Sequence, residues 1–413
     1  GNSIPRRPFM KNKIPLLLPG IALFGFLLRF FAISHGISYH PDERGIIMMT
    51  QDLSWENPIP QSFAYGSLPF YLLKSVSEAA SFLWPTASSY DGLFITGRLL
   101  NALFAVWLIS ATFRLCLRLF DNRLAAYWAA FIVGTNSFVL QNSHFFTVDI
   151  LLTTLGVEAL TAMTQIPRKG RWCNYLCAAA LIGVALATKI GALTLLAPAI
   201  LAFILHRFQL GENPLPALCL VGGSILAISG VSTILGIALI IIGLPIAWYI
   251  PPMFASIKIS PLNSWQSLRY PFICLLVIVA LFSIGEPYAY DWKGWGNLYE
   301  CYRSNSCSPL TQIFSERFLH DIGGEIAMVR GTTPPRPYTV QYWGTLPYLY
   351  PISQIFSTTM GPFTTILVLI GLLIEAITRP TKVRIIPLFW AILFFFSVAG
   401  SYVKFPRYLL PLY

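Results

Sequence analysis

The run WCNYLCAAALIGVALATKIGALTLLAPAILAFILHRF, Trp172 to Phe208, decides how this chain is threaded. It is apolar over nearly its whole length, yet longer than the roughly 17 to 25 residues that one helix needs to cross a bilayer. Thr188-Lys189-Ile190-Gly191 interrupts it near the middle. Read as one helix, the run moves every later loop to the opposite side of the membrane. Read as two short spans with Lys189 at the outer turn, it returns to the side it left. Leu215 to Tyr249 poses the same choice, with Gly230 to Gly236 as the turn.

Charge settles the choice. Cytoplasmic loops of membrane proteins collect Lys and Arg. With both long runs doubled, the inner side carries Arg6, Arg7, Lys11, Lys13, Arg114, Arg118, Arg123, Arg168, Lys169, Arg171, Arg207, Lys258, Arg269, Arg379, Lys382 and Arg384 against only Asp121 and Glu212. The single-helix reading spoils this asymmetry. The same count explains most of the net charge of +11, which in a soluble chain would point to nucleic acid. With 55% hydrophobic residues, 11% charged residues and a mean hydropathy of +0.64, a soluble protein and a nucleic-acid partner are both set aside.

Outward from that run, the expected spans are Ile14 to Ile33, Leu93 to Leu115, Leu124 to Leu140, Val148 to Ile166, the two doubled runs, Pro271 to Gly285, Gly361 to Ile377 and Ile385 to Tyr402, with Lys404 to Tyr413 starting another. The fold class is an all-α polytopic membrane protein of about 11 to 12 transmembrane helices in one domain, 1–413. Residues 35–91 form a first outer loop, in which Ile46 to Leu53 and Leu68 to Leu83 read as helices lying in the interface. Residues 286–360 form a long outer loop rich in Gly, Pro, Trp and Tyr. Tyr413 falls inside an apolar pattern and the first residue is Gly, so the carboxyl end and the start both read as incomplete.

Cys116, Cys173, Cys177, Cys219 and Cys274 lie in or beside apolar runs and read as small hydrophobes; two thiols on one helix face make a poor zinc site. Cys301 and Cys307, in the polar loop, leave a short disulfide and two free thiols equally open. Trp292, Trp295, Tyr299, Tyr302, Tyr338, Tyr342 and Trp343 read as an interfacial aromatic belt before they read as sugar-stacking platforms.

Ionisable residues at membrane depth are costly, and by default they mark function. The outer span ends collect His40, Asp42, Glu43, Arg98, His144, Asp149, Lys189, Glu286, Lys404 and Arg407. Each has a plainer reading. Pro41 suits the first position of a helix and acids suit its first turn, so His40-Pro41-Asp42-Glu43 can simply start a helix. Arg98 can snorkel and Asp149 can cap. Glu158 and Glu375, at the inner side, read as interhelical hydrogen-bonding groups.

Taken together, these stretches resemble a known family. The His-Pro-Asp-Glu element after a first span, amphipathic helices in the first outer loop, Gly97-Arg98-Leu99-Leu100-Asn101, His144-Phe145-Phe146-Thr147-Val148-Asp149, Ala187-Thr188-Lys189 and Lys404-Phe405-Pro406-Arg407-Tyr408-Leu409-Leu410-Pro411-Leu412-Tyr413 resemble GT-C class membrane glycosyltransferases. Within that class they are most similar to the dolichyl-phosphate-mannose-protein mannosyltransferase and aminoarabinose transferase group, glycosyltransferase family 39. The resemblance covers about the first two hundred residues and the carboxyl end; between Leu215 and Pro351 only the general layout matches.

The resemblance implies a GT-C-like bundle and inverting transfer of a sugar from a polyprenyl phosphate to a lipid, glycan or protein acceptor. It also implies a plasma-membrane enzyme whose site faces the periplasm or exterior. Asp42 falls at the catalytic base with Glu43 beside it, and Asp149 at the second acidic position. Arg98, Lys189 and Arg407 would hold the donor phosphate, with His40, His144 and Lys404 as further substrate-binding candidates. No cofactor is required, although Asp42, Glu43, His144 and Asp149 leave room for a divalent cation, Mg or Mn. Glu325 and Arg330 are candidates for shaping the acceptor site, with no spacing argument behind them. Two other readings stay open: a GT-C-like subunit of a larger membrane complex with its chemistry unused, and a transporter, which predicts internal repeats that the chain does not visibly carry.

Overall fold

The computed structural model describes residues 16–31, 33, 40–207, 264–291, 312–378 and 381–413. The turn expected at Gly230 to Gly236, the amino-terminal basic residues, Lys258, the Cys301 and Cys307 pair and the aromatic residues from Trp292 to Tyr302 lie outside the described residues.

The described chain is helical, and an isolated bridge pairs Tyr290 with Phe314. In order come α1 (Leu17–Phe30), α2 (Pro41–Asp52), α3 (Leu68–Ser81), α4 (Tyr90–Phe120), α5 (Arg123–Thr135), α6 (Ser137–Ser143), α7 (Val148–Met163), α8 (Ile166–Lys169), α9 (Trp172–Thr188) and α10 (Leu196–Arg207). Beyond residue 263 lie α11 (Ser264–Gly285), α12 (Glu316–Arg330), α13 (Leu349–Gln354), α14 (Gly361–Thr378) and α15 (Lys382–Ala399), then a 3-10 helix at Pro406–Leu412.

Among the described residues, three helical segments are long and apolar enough to cross a membrane, and two sharply bent pairs bring the number to five if each pair is one span. Four shorter apolar helices include both halves of the decisive run. Two of the expected spans lie between Leu215 and Tyr249, outside the described residues.

The run from Trp172 does break at Lys189. Its backbone turns extended there, and a 3-10 segment, Ile190–Leu195, leads into α10. The two halves form a hairpin: Gly170, just before α9, packs on the His206 ring at the far end of α10, and Tyr175 contacts the same ring. At that end Leu119, Asp121, Arg168, Lys382 and Arg384 surround a second cavity of about 460 Å³. Segments assigned to the inner side by charge therefore meet at one end of the bundle. Glu158 and Glu375 act as their plain reading expects, Glu158 accepting from Trp107 and Arg114, and Glu375 from Arg384.

Two features differ from the sequence expectation. The segment Leu349–Thr359, placed in the long outer loop, is apolar and helical and meets the next helix at 119°, the geometry of a broken span or a re-entrant loop. Arg29, inside α1, is fully buried; it donates to Ser143 Oγ and to the carbonyls of Gly25 and Gly134. Carbonyls on α1 and α5 and the Ser143 hydroxyl satisfy part of its donor set, while Nη2 is buried without a hydrogen-bond partner among the described residues.

Candidate active site

The site is built on the start of α2. His40 caps this helix by accepting the Asp42 N–H at Nδ1 (3.2 Å), and Pro41 occupies the first turn, where its missing N–H costs nothing. Successive helical residues point about 100° apart. Asp42 and Glu43 therefore part company. Asp42 lines a cavity of about 620 Å³, while Glu43 turns into the protein and is fully buried.

Glu43 meets Arg98 of α4 in a two-pronged ion pair, Nε and Nη2 each 2.8 Å from a carboxylate oxygen. The same carboxylate accepts the Phe146 N–H at 2.9 Å, and Arg98 also donates to the Ile33 carbonyl. Such a fork-to-fork arrangement is geometrically specific. It ties α2, α4 and the approach to α7 together, and Ile46, Ile47, Phe70, Leu93 and Phe146 pack around them. Asn101, from the same Gly-Arg-Leu-Leu-Asn stretch, fixes the approach further by donating to the Asn142 and Phe145 carbonyls. Glu43 and Arg98 satisfy each other and do not line the cavity.

Asp42 is held from the opposite end of the chain. Arg407 Nη2 lies 2.7 Å from its carboxylate, and Arg407 Nη1 lies 3.1 Å from His40 Nε2. Burial first, then the nearby Asp42 charge, pushes the Tyr65 phenol well up from its ordinary value. Behind these, Lys189 Nζ is 2.8 Å from Asp149 at the start of α7 and sits over the Tyr408 ring at 4.7 Å. The Asp149 charge is felt at His40, Tyr65 and Arg407. His40, Asp42, Asp149, Lys189 and Arg407 thus gather into one cluster.

The cavity's other wall comes from α12 and the segment after it, through Glu325, Met328, Arg336 and Tyr338. Burial pushes the Glu325 carboxyl up, Arg336 opposes this, and the two side chains approach to 3.4 Å. Arg330, paired with Glu325 in the sequence reading, does not line the cavity. Asp149 and Lys189, behind it, do not line it either, and two further candidates stay outside it. His144 Nδ1 contacts the Leu140 carbonyl at 2.8 Å, and Lys404 is buried, donating to Thr345 and to the Tyr402 carbonyl.

Sequence reading missed Tyr65, Arg336 and Tyr408 as members of the site, since no spacing ties them to Asp42. Gly66 could have raised the alarm. A Cβ there would overlap the Ala187 carbonyl, and the Gly66 N–H donates to the Thr188 carbonyl, so the first outer loop presses against the end of α9 beside Lys189. Next to it, Glu286 accepts from the Ser67 backbone and hydroxyl and is almost wholly buried.

The donor set fits a hard divalent ion poorly. Asp42 and Asp149 each have a cationic partner, and among the described residues no three His, Cys, Asp or Glu groups converge.

A family model described as dolichyl-phosphate-mannose-protein mannosyltransferase matches residues 93–236. Among solved structures, the archaeal oligosaccharyltransferase AglB from Archaeoglobus fulgidus, in complex with an inhibitory peptide and a dolichol-phosphate, is similar with a TM-score of 0.52 at 17% identity, over 96% of this chain and 49% of its own. ArnT from Cupriavidus metallidurans, bound to undecaprenyl phosphate, is similar with a TM-score of 0.53 at 15% identity, over 96% of this chain and 57% of its own.

The chain has the GT-C fold.

It spans about half the length of these two GT-C structures. Comparison with curated proteins gives no match.

Proposed function

We propose that this GT-C protein is a glycosyltransferase that moves a sugar from a polyprenyl phosphate to a hydroxyl-bearing lipid, glycan or protein acceptor, with inversion at the anomeric carbon. The reaction takes place on the extracytoplasmic face of the plasma membrane. One observation carries the reading: a carboxylate, Asp42, opens onto a large cavity while its other side is held by Arg407 at 2.7 Å.

Asp42 takes the proton of the acceptor hydroxyl as the oxygen attacks the anomeric carbon. The new C–O bond forms as the bond to the phosphate oxygen breaks, and its electron pair leaves on the lipid phosphate. Arg407 meets that growing negative charge, and Lys189 adds positive potential from behind Tyr408. Glu43 and Arg98 are positioning residues in this scheme, since their charged groups are spent on each other. Glu325 and Arg336 face the reaction centre from the opposite wall, where the acceptor would enter. No step needs a metal ion. The polyprenyl chain stays in the bilayer because moving it into water exposes too much apolar surface.

The test uses membranes carrying the wild-type protein or Asp42→Asn, incubated with radiolabelled polyprenyl-phosphate sugars. Transfer by wild type and a loss of about 10²-fold or more in the variant are expected. No transfer with any donor overturns the glycosyltransferase reading and leaves the unused-subunit reading in its place; equal transfer by both removes Asp42 as the base.

A further inference from the structure

The second cavity lies at the end of the bundle that charge assigns to the cytoplasm. It encloses about 460 Å³, within the range of about 300 to 1,000 Å³ typical of small-molecule sites. Three stretches far apart in the chain wall it: Leu119, Phe120 and Asp121 at the end of α4, Pro167 and Arg168 of α8, and Thr381 to Arg384 at the start of α15. The candidate active site is at the other end. Helix α7, 16 residues and roughly 24 Å long, starts there at Asp149 and leads to α8, and α15 runs from this cavity towards Lys404 and Arg407.

The cations of this lining are unequal. Arg384 is occupied: it pairs with Glu375 at 3.2 Å, donates to the Leu119 carbonyl and lies over the Phe120 ring at 4.7 Å. Arg168 and Lys382 make no hydrogen bond or ion pair among the described residues, and Asp121, the lone acid of the lining, pairs with neither. Once Arg384 and Glu375 have cancelled, two cations face one carboxylate, a surplus of one positive charge. Lys382 also sits badly for its own helix. The positive end of a helix dipole disfavours cations, yet α15 opens with Lys382 and Arg384 and carries no acid in its first turn. Topology asks for basic residues on this side, which solvated loops supply; it does not ask for cations in a cavity that Leu119, Phe120, Pro167 and Val383 also wall.

We propose that this cavity holds the headgroup of a monoanionic phospholipid of the inner leaflet, of the phosphatidylglycerol kind. The phosphodiester takes up the surplus charge between Arg168 and Lys382, and a headgroup hydroxyl donates to Asp121. Basic pockets between helices on the cytoplasmic side suit anionic headgroups. The apolar walls favour a lipid over free phosphate, which would leave them facing water. Phe120, and Ile374 and Ile377 on either side of Glu375 in α14, are exposed and give the acyl chains an apolar surface to lie on. The bound lipid joins the inner ends of α4, α8 and α15. This assignment stands whether or not the protein transfers sugars, since the two cavities are at opposite ends of the bundle.

Native mass spectrometry of the full chain in detergent reads the binding, with dioleoyl-phosphatidylglycerol, dioleoyl-phosphatidylethanolamine and inorganic phosphate as probes. Arg168 and Lys382 hold no partner and lie away from the candidate active site, so Arg168→Gln and Lys382→Gln should fold and melt as wild type does. Each should bind phosphatidylglycerol about fivefold more weakly, and the double variant about 25-fold, the share of one cation each in holding an anionic lipid. Lys169→Gln is the control. It removes an exposed neighbour of Arg168 that does not line the cavity, and should lose less than about twofold because such a charge is screened. Phosphatidylglycerol should also raise the melting temperature of wild type and not that of the double variant. An equal loss in Lys169→Gln, or none in the double variant, overturns the cavity as the site. Phosphatidylethanolamine bound as tightly as phosphatidylglycerol overturns the anionic headgroup, and inorganic phosphate that displaces the lipid at equal concentration overturns the lipid.

Discussion

Arg98 grips Glu43 through two nitrogens, each 2.8 Å from a carboxylate oxygen, one residue along the chain from the carboxylate that opens onto the cavity. Both groups are almost completely out of contact with solvent. Removing one partner of a buried pair strands the other, at a cost of about 3 to 5 kcal/mol, whereas replacing both by apolar groups is often close to neutral. Glu43→Gln and Arg98→Met alone should each lower the yield of folded protein and its melting temperature in detergent. The double variant Glu43→Leu with Arg98→Met should recover much of the loss. Single variants as stable as wild type would show that the pair does not anchor α2.

Glu286 gives the protein a pH-dependent element away from the cavity. Burial pushes its carboxyl up to about 7 from 4.5, against the pull of the two Ser67 donors. The folded state therefore keeps a proton that the unfolded chain releases at lower pH. This protonated carboxyl is at its most favourable below about 4.5, and its contribution fades as pH rises through about 7. The change amounts to something on the order of 3 kcal/mol. Thermal unfolding from pH 5.5 to 8 should show wild type losing stability with rising pH and Glu286→Gln following a flatter profile. Parallel profiles would remove Glu286 as the cause.

At Gly66 the backbones touch. A methyl group there would overlap the Ala187 carbonyl and push the first outer loop off the end of α9. Gly66→Ala should cut transfer at least tenfold, because Tyr65 and Lys189 flank the contact and share the Asp42 cluster. Gly45, with open space around it, is the control; Gly45→Ala should fold normally. A fully active Gly66→Ala would mean that the loop position is not critical to the site.

The pairing of Asp42 with Arg407 and of Asp149 with Lys189 bears on metal dependence. Transfer assayed after chelation and desalting should keep most of its rate, and added Mg or Mn should change it less than about twofold. Complete loss on chelation, restored by one of these ions, would require the carboxylates to leave their cationic partners.

The helical character was legible because a bilayer-length apolar run leaves little choice: lipid offers no hydrogen bonds, so the backbone satisfies itself as helix. The break at Lys189 was legible too, from one cation in an apolar stretch of double length. The bend between Thr359 and Gly361 was not. Its signal is a loop-like composition around a short apolar segment, and its angle depends on what packs beneath it.

Within the site, Asp42, Asp149, Lys189 and Arg407 were found as costly charges at span ends, and the fold brings them together. Glu43 and Arg98 carried the same signal, and in the structure they face each other. Consecutive residues of one motif differ in role because a helix turns them apart, which spacing along a line does not reveal.

By itself, then, the sequence determined that this chain is a helical membrane protein, where its hairpin turns, and which charged residues stand at the span ends. It could do so because desolvation penalties act residue by residue and leave their mark in composition. Tertiary structure alone decided which of those charges cancel and which remain exposed to a ligand. His40 and Arg407 stand 367 positions apart, and their meeting beside Asp42 depends on the packing of the helices between them.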